Sequence, residues 1–437
     1  MVKHVSDSKT YAEVIVVGAG DRGNVYSQYA ITAPQKMKIV GVAEPSAERR
    51  KMFASQYGLS SENCFESYLD LAKRPKFADA IIVSTLDGLH AAVVKELAPL
   101  KYNILLEKPM AVTLQDCIDI HAAVLQNDII LAVCHVLRYT PHYTELKKII
   151  DSGKLGEIYN VQHLEQIGET HFAHSFVRGN WAIEEQTSFS LMTKCIHDVD
   201  LISWFIGNAQ CTKISSFGSL SHFKKSKKPS AAKDAKRCID CSYERECPYS
   251  AKKIYLEPTV QGQTGWPISV LSNVVDIENI TDAITNGPYG RCVYECKNDV
   301  LDNQVVNFEF QDGKTASMTM IAFTKDECIR KTRIYGSKGE LVSDGDNEIS
   351  YYEFNSKQTT TVHPNDLDEY KLYNEISGHV GGDYGIISCF IDSIINNDPS
   401  INKSDSLEAL KSHVYVFAAE KSRLSNSVID PNCLFQF

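Results

Sequence analysis

The first third of the chain alternates between short apolar runs and longer segments that indicate helices. Runs of strand length (AEVIVV, MKIVGVA, ADAIIV, YNILL) are separated by segments such as AERRKMFASQYG, a helix that we expect to end at Gly58. Strands that alternate with helices predict parallel βαβ units. Residues 1–140 are therefore predicted to form an α/β domain with a doubly wound parallel sheet, in which ligands bind beyond the carboxyl ends of the strands.

The pattern changes after about residue 140. The segment EIYNVQHLEQIG indicates a long strand, and later strand pairs turn at Asp312-Gly313 and Lys338-Gly339. Residues 141–437 are predicted to form a second domain, of the α+β class, with a mostly antiparallel sheet. We expect a loop-rich, cysteine-containing insertion at about 221–300 and a closing helix at about 408–424.

Composition and charge narrow the function. The 437 residues are 43% hydrophobic and 23% charged, and the formal net charge is −10, which argues against nucleic acid and anionic membranes as partners. No apolar run approaches the ~20 residues of a membrane helix. The N-terminus lacks a secretory pattern, so the thirteen cysteines indicate reduced thiols and a cytoplasmic protein.

A glycine-rich segment, GAGDRG, directly follows the first strand and opens a helix. This is the context of the dinucleotide-binding fingerprint, in which the glycines let the main chain approach a pyrophosphate. A plain βα turn is the alternative interpretation. The predicted cofactor residues of this segment are Gly18, Gly20, Asp21, Arg22 and Gly23.

An acidic residue ends the next strand. Glu44 stands about twenty residues beyond the glycines, where a carboxylate binds the adenosine ribose and repels a 2′-phosphate. NAD is therefore favoured over NADP, although Arg49 and Arg50 leave NADP open. After the third strand, STLDGLH is expected to line the nicotinamide side of the cleft through Ser84, Thr85 and His90.

Two residues suggest hydride chemistry. Lys108 ends an apolar run, where burial of a charge is costly unless a ligand lies beyond it. His197 opens the apolar segment HDVDLISWFIG, which alone also fits an amphipathic helix with a satisfied histidine. Hydride transfer from an alcohol needs a base for the proton and a cation near the developing alkoxide. Lys108 and His197 supply both, with the lysine pKa lowered by burial, and Glu107 is expected to anchor the strand.

Several segments together resemble the Gfo/Idh/MocA oxidoreductases, the glucose–fructose oxidoreductase and inositol dehydrogenase family. In family order these are VVGAGDRG, VAEP, ADAIIVSTLDGLH, LLEKPMAVT, VLRYTP, CIHDVDLISWFIG, IYGSKGEL and AAEKSRLSN. The resemblance implies tightly bound NAD(P), oxidation or reduction of a sugar-like hydroxyl or ketone, and a cis peptide bond before Pro109. It assigns catalysis to Lys108 and His197, and contacts with the cofactor to Glu107, Lys108 and Arg138.

One departure from the family pattern affects the proton relay. Many members carry an aspartate four residues before the catalytic histidine, and this chain has Thr193 there, followed by Lys194. Lys194 is a third catalytic candidate, with a surface lysine as the alternative.

Two polar segments are candidates for substrate contacts. THFAHSFVRGNW offers hydrogen-bond donors and a flat ring suited to a polyhydroxylated or acidic ligand, and GHVGGDYG resembles a second substrate loop. A glycine-rich turn is the alternative for the latter. The predicted substrate residues are His174, Arg178, Asn180, Trp181 and His379.

A cysteine cluster, C-x2-C-x5-C, lies in the insertion. Cys238, Cys241 and Cys247, with Cys292 or Cys296 as a fourth ligand, predict a structural zinc. Free thiols are the alternative.

We therefore predict an NAD(P)-dependent oxidoreductase that transfers a hydride between nicotinamide and a hydroxyl or ketone of a sugar, uronate or polyol. Two alternatives remain: an NAD-dependent glycosidase that oxidises a hydroxyl transiently, and a non-catalytic dinucleotide-binding sensor. By analogy with the family, the domain formed by residues 141–437 is expected to serve substrate binding and oligomerisation, and a homodimer or homotetramer is expected.

Overall fold

A parallel sheet forms the core of the N-terminal part of the chain. The computed structural model describes residues 10–272, 274–376 and 378–436. The sheet has six parallel strands in the order β3-β2-β1-β4-β5-β6, which confirms the predicted doubly wound topology. The strands are β1 (Ala12–Val17), β2 (Met37–Ala43), β3 (Cys64–Phe65), β4 (Ala80–Val83), β5 (Asn103–Leu106) and β6 (Leu131–Val133).

Helices flank both faces of this sheet, and polar residues define their ends. They are α1 (Asp21–Ser27), α2 (Tyr29–Thr32), α3 (Ala47–Tyr57), α4 (Tyr68–Ala72), α5 (His90–Leu97) and α6 (Leu114–Asn127). The Ser46 hydroxyl accepts a hydrogen bond from the N–H of Arg49 and so caps α3, which ends at Gly58 in the left-handed conformation.

The second sheet has eight strands in the order β14-β13-β12-β11-β7-β10-β9-β8. Only the β7–β10 pair is parallel among its described pairings, so the prediction of a mostly antiparallel sheet is confirmed. The strands are β7 (Ile158–Gln166), β8 (Cys211–Ser219), β9 (Asn303–Phe310), β10 (Thr315–Ile321), β11 (Ile329–Gly336), β12 (Gly339–Ser343), β13 (Ile349–Glu353) and β14 (Gln358–Val362).

The remaining helices follow the first sheet along the chain. They are α7 (Pro141–Asp151), α8 (Glu169–Phe172), α9 (Ser190–Thr193), α10 (Ile196–Ile206), α11 (Glu257–Val260), α12 (Ile277–Asn286), α13 (Gly382–Ile395) and α14 (Ser406–Ser425). The chain between β8 and β9 contains α11, α12 and a small core of its own. No helix within the described ranges is both long and apolar enough to cross a membrane.

The C-terminal part of the chain returns to the first sheet. Residues Ile386, Ile387 and Phe390 of α13 share a buried cluster with Val14 and Val16 of β1. The N–H of Val133 in β6 donates to the main-chain oxygen of Ser404. These contacts complete one face of the parallel sheet and bring the loop before α13 to the carboxyl ends of its strands.

Candidate active site

The glycine-rich loop has the shape that a dinucleotide requires. Gly18 adopts φ +93°, and a Cβ there would lie 2.5 Å from the main-chain oxygen of Ser84. A Cβ at Gly23 would lie 2.1 Å from the main-chain oxygen of Gly18, whereas one at Gly20 would meet no atom within 4 Å. The loop is therefore closed on one side by close packing and open at Gly20. These residues fit a pyrophosphate approaching the main chain at that point.

Glu44 lies beside this loop, immediately after β2. One carboxylate oxygen accepts a 2.9 Å hydrogen bond from the N–H of Ala19, and the other accepts from Arg49 at 3.0 Å and from the N–H of Ser46 at 2.9 Å. Arg50 donates to the main-chain oxygen of Glu44. The carboxylate is thus held at the end of the β2 strand, where the sequence predicts ribose recognition, and Arg49 covers its outer side.

The loop after β4 is tied to the turn after β5 by a buried histidine. His90 Nδ1 lies 2.8 Å from the main-chain oxygen of Pro109, and its Nε2 lies 3.3 Å from that of Thr85. The Ser84 hydroxyl donates to the main-chain oxygen of Gly18. Both ring nitrogens of His90 therefore face main-chain oxygens, which indicates a positioning role for this residue. The Lys108–Pro109 peptide bond is cis, as the resemblance implied.

Lys108 points from the end of β5 toward the second domain. Its Nζ atom donates a 2.9 Å hydrogen bond to the main-chain oxygen of Thr193. Burial lowers the pKa of the Lys108 ammonium, against the opposing pull of Glu107 and Asp87. The direction of this shift is the one expected from the sequence.

The carboxylate of Glu107 accepts a 2.7 Å hydrogen bond from the N–H of Lys108 and belongs to a network of charged groups. It also accepts from Arg22 at 2.7 Å and from Tyr26 at 2.8 Å. Although burial favours the neutral acid, Arg22 and Lys108 hold the pKa of Glu107 below its usual value. Arg22 also pairs with Asp383 of α13, which contacts Nδ1 of His379 at 3.2 Å. Arg22 thus connects the glycine-rich loop to the loop that carries His379.

His197 opens α10 and is buried. Neither ring nitrogen has a hydrogen-bond partner among the described residues, and the ring lies edge-on to His135 at 5.9 Å between centroids and 6.1 Å from His379. Burial, together with Lys108 and His135, holds the pKa of His197 well below its usual value. The imidazole is therefore neutral at neutral pH, and a neutral ring with free nitrogens is able to accept a proton.

Lys194 lies at the same site and is not a surface residue. Its Nζ atom lies 2.8 Å from the Cys328 thiol and 3.4 Å from Glu165. Although burial opposes the charge, Cys328 and Glu165 raise the pKa of Lys194. Glu165 is also 3.1 Å from Arg330. This cluster of Lys194, Glu165 and Arg330 was not predicted from the sequence, although the strand that carries Glu165 was.

Two predicted substrate residues belong to the interior of the insertion instead. His174 Nδ1 lies 2.9 Å from the Tyr255 hydroxyl, and its ring stacks on Tyr289 at 4.8 Å. Arg178 donates to the main-chain oxygens of Arg291 and Tyr249, at 2.8 and 2.7 Å. Both side chains are buried and held by these contacts, although the Nη1 atom of Arg178 has no hydrogen-bond partner among the described residues. The structure therefore contradicts their assignment to the substrate.

The other predicted substrate residues lie nearer the cleft. Trp181 donates from Nε1 to Asp87 at 3.3 Å, so it meets the loop after β4 beside Lys108. His379 faces His197, and Asn180 is exposed. The structure therefore brings Trp181 and His379 to the candidate catalytic pair, and their contact with substrate stays a prediction.

The predicted zinc site is not supported. Within 10–272, 274–376 and 378–436, no three His, Cys, Asp or Glu side chains are grouped so as to hold a metal ion. The Cys238 sulfur instead lies 3.4 Å from the Arg178 guanidinium, so an internal cation stands beside the cysteines. Burial raises the pKa of Cys247 to about 11 and raises that of Cys292, which favours neutral thiols over the thiolates that zinc requires. Cys241 is a free cysteine and is half-buried.

Arg138 was also misassigned as a cofactor residue. Its Nε and Nη2 atoms donate to the two oxygens of Asp200 at 2.7 and 2.8 Å, and Nη1 donates to the main-chain oxygen of Lys403 and to Glu408. The guanidinium is 1% exposed, and its donors are taken up by these groups. The residue joins α10 to α14.

Comparison with known proteins places the chain in a family. The profile described as "Oxidoreductase family, NAD-binding Rossmann fold" matches residues 12–135, and that described as "Oxidoreductase family, C-terminal alpha/beta domain" matches residues 147–424. YteT of Bacillus subtilis (strain 168) is 25% identical over 82% of this chain and 80% of that protein. The scyllo-inositol 2-dehydrogenase (NAD(+)) of the same organism is 25% identical over 47% of this chain and 56% of its own.

Solved structures agree in fold. A crystal structure of an oxidoreductase from Agrobacterium radiobacter in complex with NAD+, L-tartaric acid and magnesium has a TM-score of 0.69 at 15% identity, covering 98% of this chain and all of that one. An inositol dehydrogenase homolog complexed with NAD+ from Azotobacter vinelandii has a TM-score of 0.68 at 16% identity, with the same coverage. The chain belongs to the Gfo/Idh/MocA oxidoreductase family.

Proposed function

We propose that this protein is an NAD-dependent dehydrogenase that transfers a hydride between nicotinamide and a hydroxyl or ketone of a sugar, uronate or polyol. The observation that carries the proposal is the pairing of Lys108, buried at the end of a parallel strand, with a neutral His197 whose ring nitrogens have no described partner. The open space at Gly20 and the carboxylate of Glu44 support a dinucleotide beside them.

The two residues divide the chemistry of the hydroxyl group. The bound nicotinamide supplies the hydride acceptor or donor. The Lys108 ammonium holds the substrate oxygen by a hydrogen bond and stabilises negative charge that develops on it. His197 takes the hydroxyl proton in oxidation and returns it in reduction, because its burial keeps the imidazole neutral in the resting state.

The charges around this pair suit a polar and acidic substrate. Lys194 and Arg330 add two cations on the side of the second sheet. Glu165 lies between them without a hydrogen-bond partner among the described residues, and Asp198 accepts a 2.9 Å hydrogen bond from Arg330. A substrate carboxylate or hydroxyl group can bind to these cations. A uronate or polyol is therefore the substrate class that we propose, in keeping with the inositol dehydrogenase relative.

We also propose a homodimer or homotetramer that forms through the outer face of the second sheet, in a cytoplasmic protein. Phe217 of β8 and Val305 of β9 lie directly opposite each other in that sheet and are 68% and 38% exposed. Light scattering of the wild type and of Phe217→Asp tests this: the variant should have a lower mass.

The functional test is a panel of sugars, uronates and inositols scored by NADH fluorescence. We expect net NADH formation with at least one member, and loss of that signal in Lys108→Ala. Consumption of a glycoside without net NADH would support the glycosidase alternative. NAD binding without turnover of any member would support the sensor.

A further inference from the structure

A second cavity lies at the opposite end of the helix that carries His197. It has a volume of about 570 Å³ and is bounded by the end of α10, the start of α14 and part of α7. Trp204, seven residues after His197, forms one wall, which places the cavity about 10 Å farther along the helix axis. The volume falls in the range of small-molecule sites. Apart from Arg138, whose assignment to the cofactor the structure contradicts, none of the residues assigned above to the dinucleotide or to hydride transfer is among its lining residues.

Cations dominate the wall of this cavity. Its charged lining residues are Arg138, Lys147, Lys403, Lys411 and Glu408, so four positive side chains face one negative side chain. Arg138 and Lys147 each lie over the Trp204 ring, at 5.5 and 5.7 Å from its centroid. The tryptophan therefore presents an aromatic wall flanked by positive charge.

Most of these cations already have carboxylate partners. Arg138 pairs with Asp200, Lys411 pairs with Glu408 at 2.6 Å, and Lys147 pairs with Asp151. These pairs fix the positions of the side chains. Of the four lining cations, Lys403 is therefore the candidate to pair with the negative charge of a bound ligand.

Lys403 has no carboxylate within 4.0 Å in the part of the chain that the structure describes. Its Nζ atom donates only to neutral oxygens, the main-chain oxygen of Arg138 at 3.4 Å and the Thr144 hydroxyl at 3.3 Å. Burial lowers the pKa of Lys403, and the nearby Lys148 and Arg138 act in the same direction. A half-buried ammonium in a positive environment is stabilised by an anion that enters the cavity. The ends of α10 and α14 meet here, so their dipoles largely offset each other.

We propose that this cavity is a second ligand site, separate from the catalytic cleft, that binds a small multiply charged oxyanion, a phosphate ester or a polycarboxylate. Lys403 and Lys147 contact the anion, and Trp204 packs against the body of the ligand. Gln210 and Gln311 also line the cavity. Gln311 donates to the Gln210 amide oxygen and Gln210 donates to Asn432, which leaves each amide nitrogen a second N–H for hydroxyl or carboxyl groups.

Calorimetric titration of the full-length protein with saturating NAD tests the proposal, because NAD then fills the dinucleotide cleft. Inorganic pyrophosphate and citrate are the probes. We expect one binding event per chain for at least one probe, with a Kd that rises tenfold or more in Lys403→Gln and in Lys147→Gln. The exposed Lys225→Gln should stay within twofold of the wild type. The tighter probe identifies the ligand as a phosphate ester or a polycarboxylate.

Lys147→Gln keeps the test decisive if Lys403→Gln fails to fold, because the ion-pair partner of Lys147, Asp151, is 59% exposed and is not left buried without its cation. Lys108→Ala should leave the Kd of the probe unchanged. A Kd that rises in Lys108→Ala but not in the two cavity variants would place the anion in the catalytic cleft and overturn the proposal. Absence of binding heat at millimolar probe would overturn it as well.

Discussion

The ammonium nitrogen of Lys108 lies 2.9 Å from the main-chain oxygen of Thr193, four residues before His197. Many members of the family carry an aspartate at this position, whereas this chain has a threonine, whose main-chain oxygen accepts the hydrogen bond. A carbonyl carries no net charge, so it orients the ammonium without neutralising it. This contact links the end of β5 to the segment just before α10, and so holds the two candidate catalytic residues at the same site.

Cofactor preference should follow Glu44. Because a carboxylate at the end of β2 repels a 2′-phosphate, we expect NAD to bind at least tenfold more tightly than NADP, about 1.4 kcal/mol. Glu44→Ala should narrow this gap, since Arg49 then loses its acidic partner. Fluorescence titration with both dinucleotides measures it. Equal or tighter NADP binding by the wild type would refute the assignment of Glu44.

Arg178 should matter for stability and not for the chemistry. Arg178→Met leaves the main-chain oxygens of Tyr249 and Arg291 without their buried donor, so unfolding should become easier by about 2–4 kcal/mol. Chemical denaturation measures this, with the exposed Arg245→Met as the matched control. A stable Arg178→Met protein that has lost its affinity for substrate would instead restore Arg178 to the substrate site.

Acid should destabilise the fold through its buried histidines. Burial lowers the pKa of His142 to about 4, below the unfolded value of about 6.5. A group with a depressed folded pKa contributes stability above pH 6.5 that is lost as the pH falls toward 4. We expect His142 alone to account for about 2 kcal/mol of lost stability between pH 7 and 5. Urea unfolding at both pH values should show a correspondingly smaller loss in His142→Gln, and an identical loss would contradict this account.

Local sequence patterns were sufficient to predict those parts of the fold that are determined by residues close together in the chain. The glycine loop, Glu44 and Lys108 all follow directly from strands, and the carboxyl ends of parallel strands meet at one edge of a sheet. The same reasoning could not place α13, whose apolar residues pack against β1 about 370 positions earlier in the chain. The apolar composition of a helix predicts that it is buried, but it does not predict which sheet the helix packs against.

The errors lie where a polar residue has a long-range partner. Donors in a polar loop suit a substrate, which is why the sequence favours Arg178 and His174, yet the insertion buries both side chains and hydrogen-bonds to them. Glu165 was not predicted as a site residue, because a single charged residue in a strand does not by itself indicate a functional site. Only the register of β7 and β11 shows that Glu165 stands directly opposite Arg330, and register is set by the whole sheet.

Lys108 and His197 should act as a unit. His197→Ala should be slow because no group then takes the hydroxyl proton, and the double variant Lys108→Ala/His197→Ala should be little worse than the slower single variant. Steady-state kinetics of the four proteins on the best substrate of the panel tests this. Fully multiplicative losses would show that the two residues act on separate steps.

The central claim is that Lys108 stabilises the transition state of hydride transfer. The most direct test is single-turnover reduction of enzyme-bound NAD in Lys108→Ala, with Lys108→Arg beside it and the exposed Lys73→Ala as the matched control. We predict a rate lower by ~100-fold or more in Lys108→Ala with NAD affinity nearly unchanged. Lys108→Arg should not restore the rate, because a guanidinium is larger and does not release its proton, and Lys73→Ala should match the wild type. A near-normal single-turnover rate in Lys108→Ala would show that the lysine only caps the strand and would contradict this account of the active site.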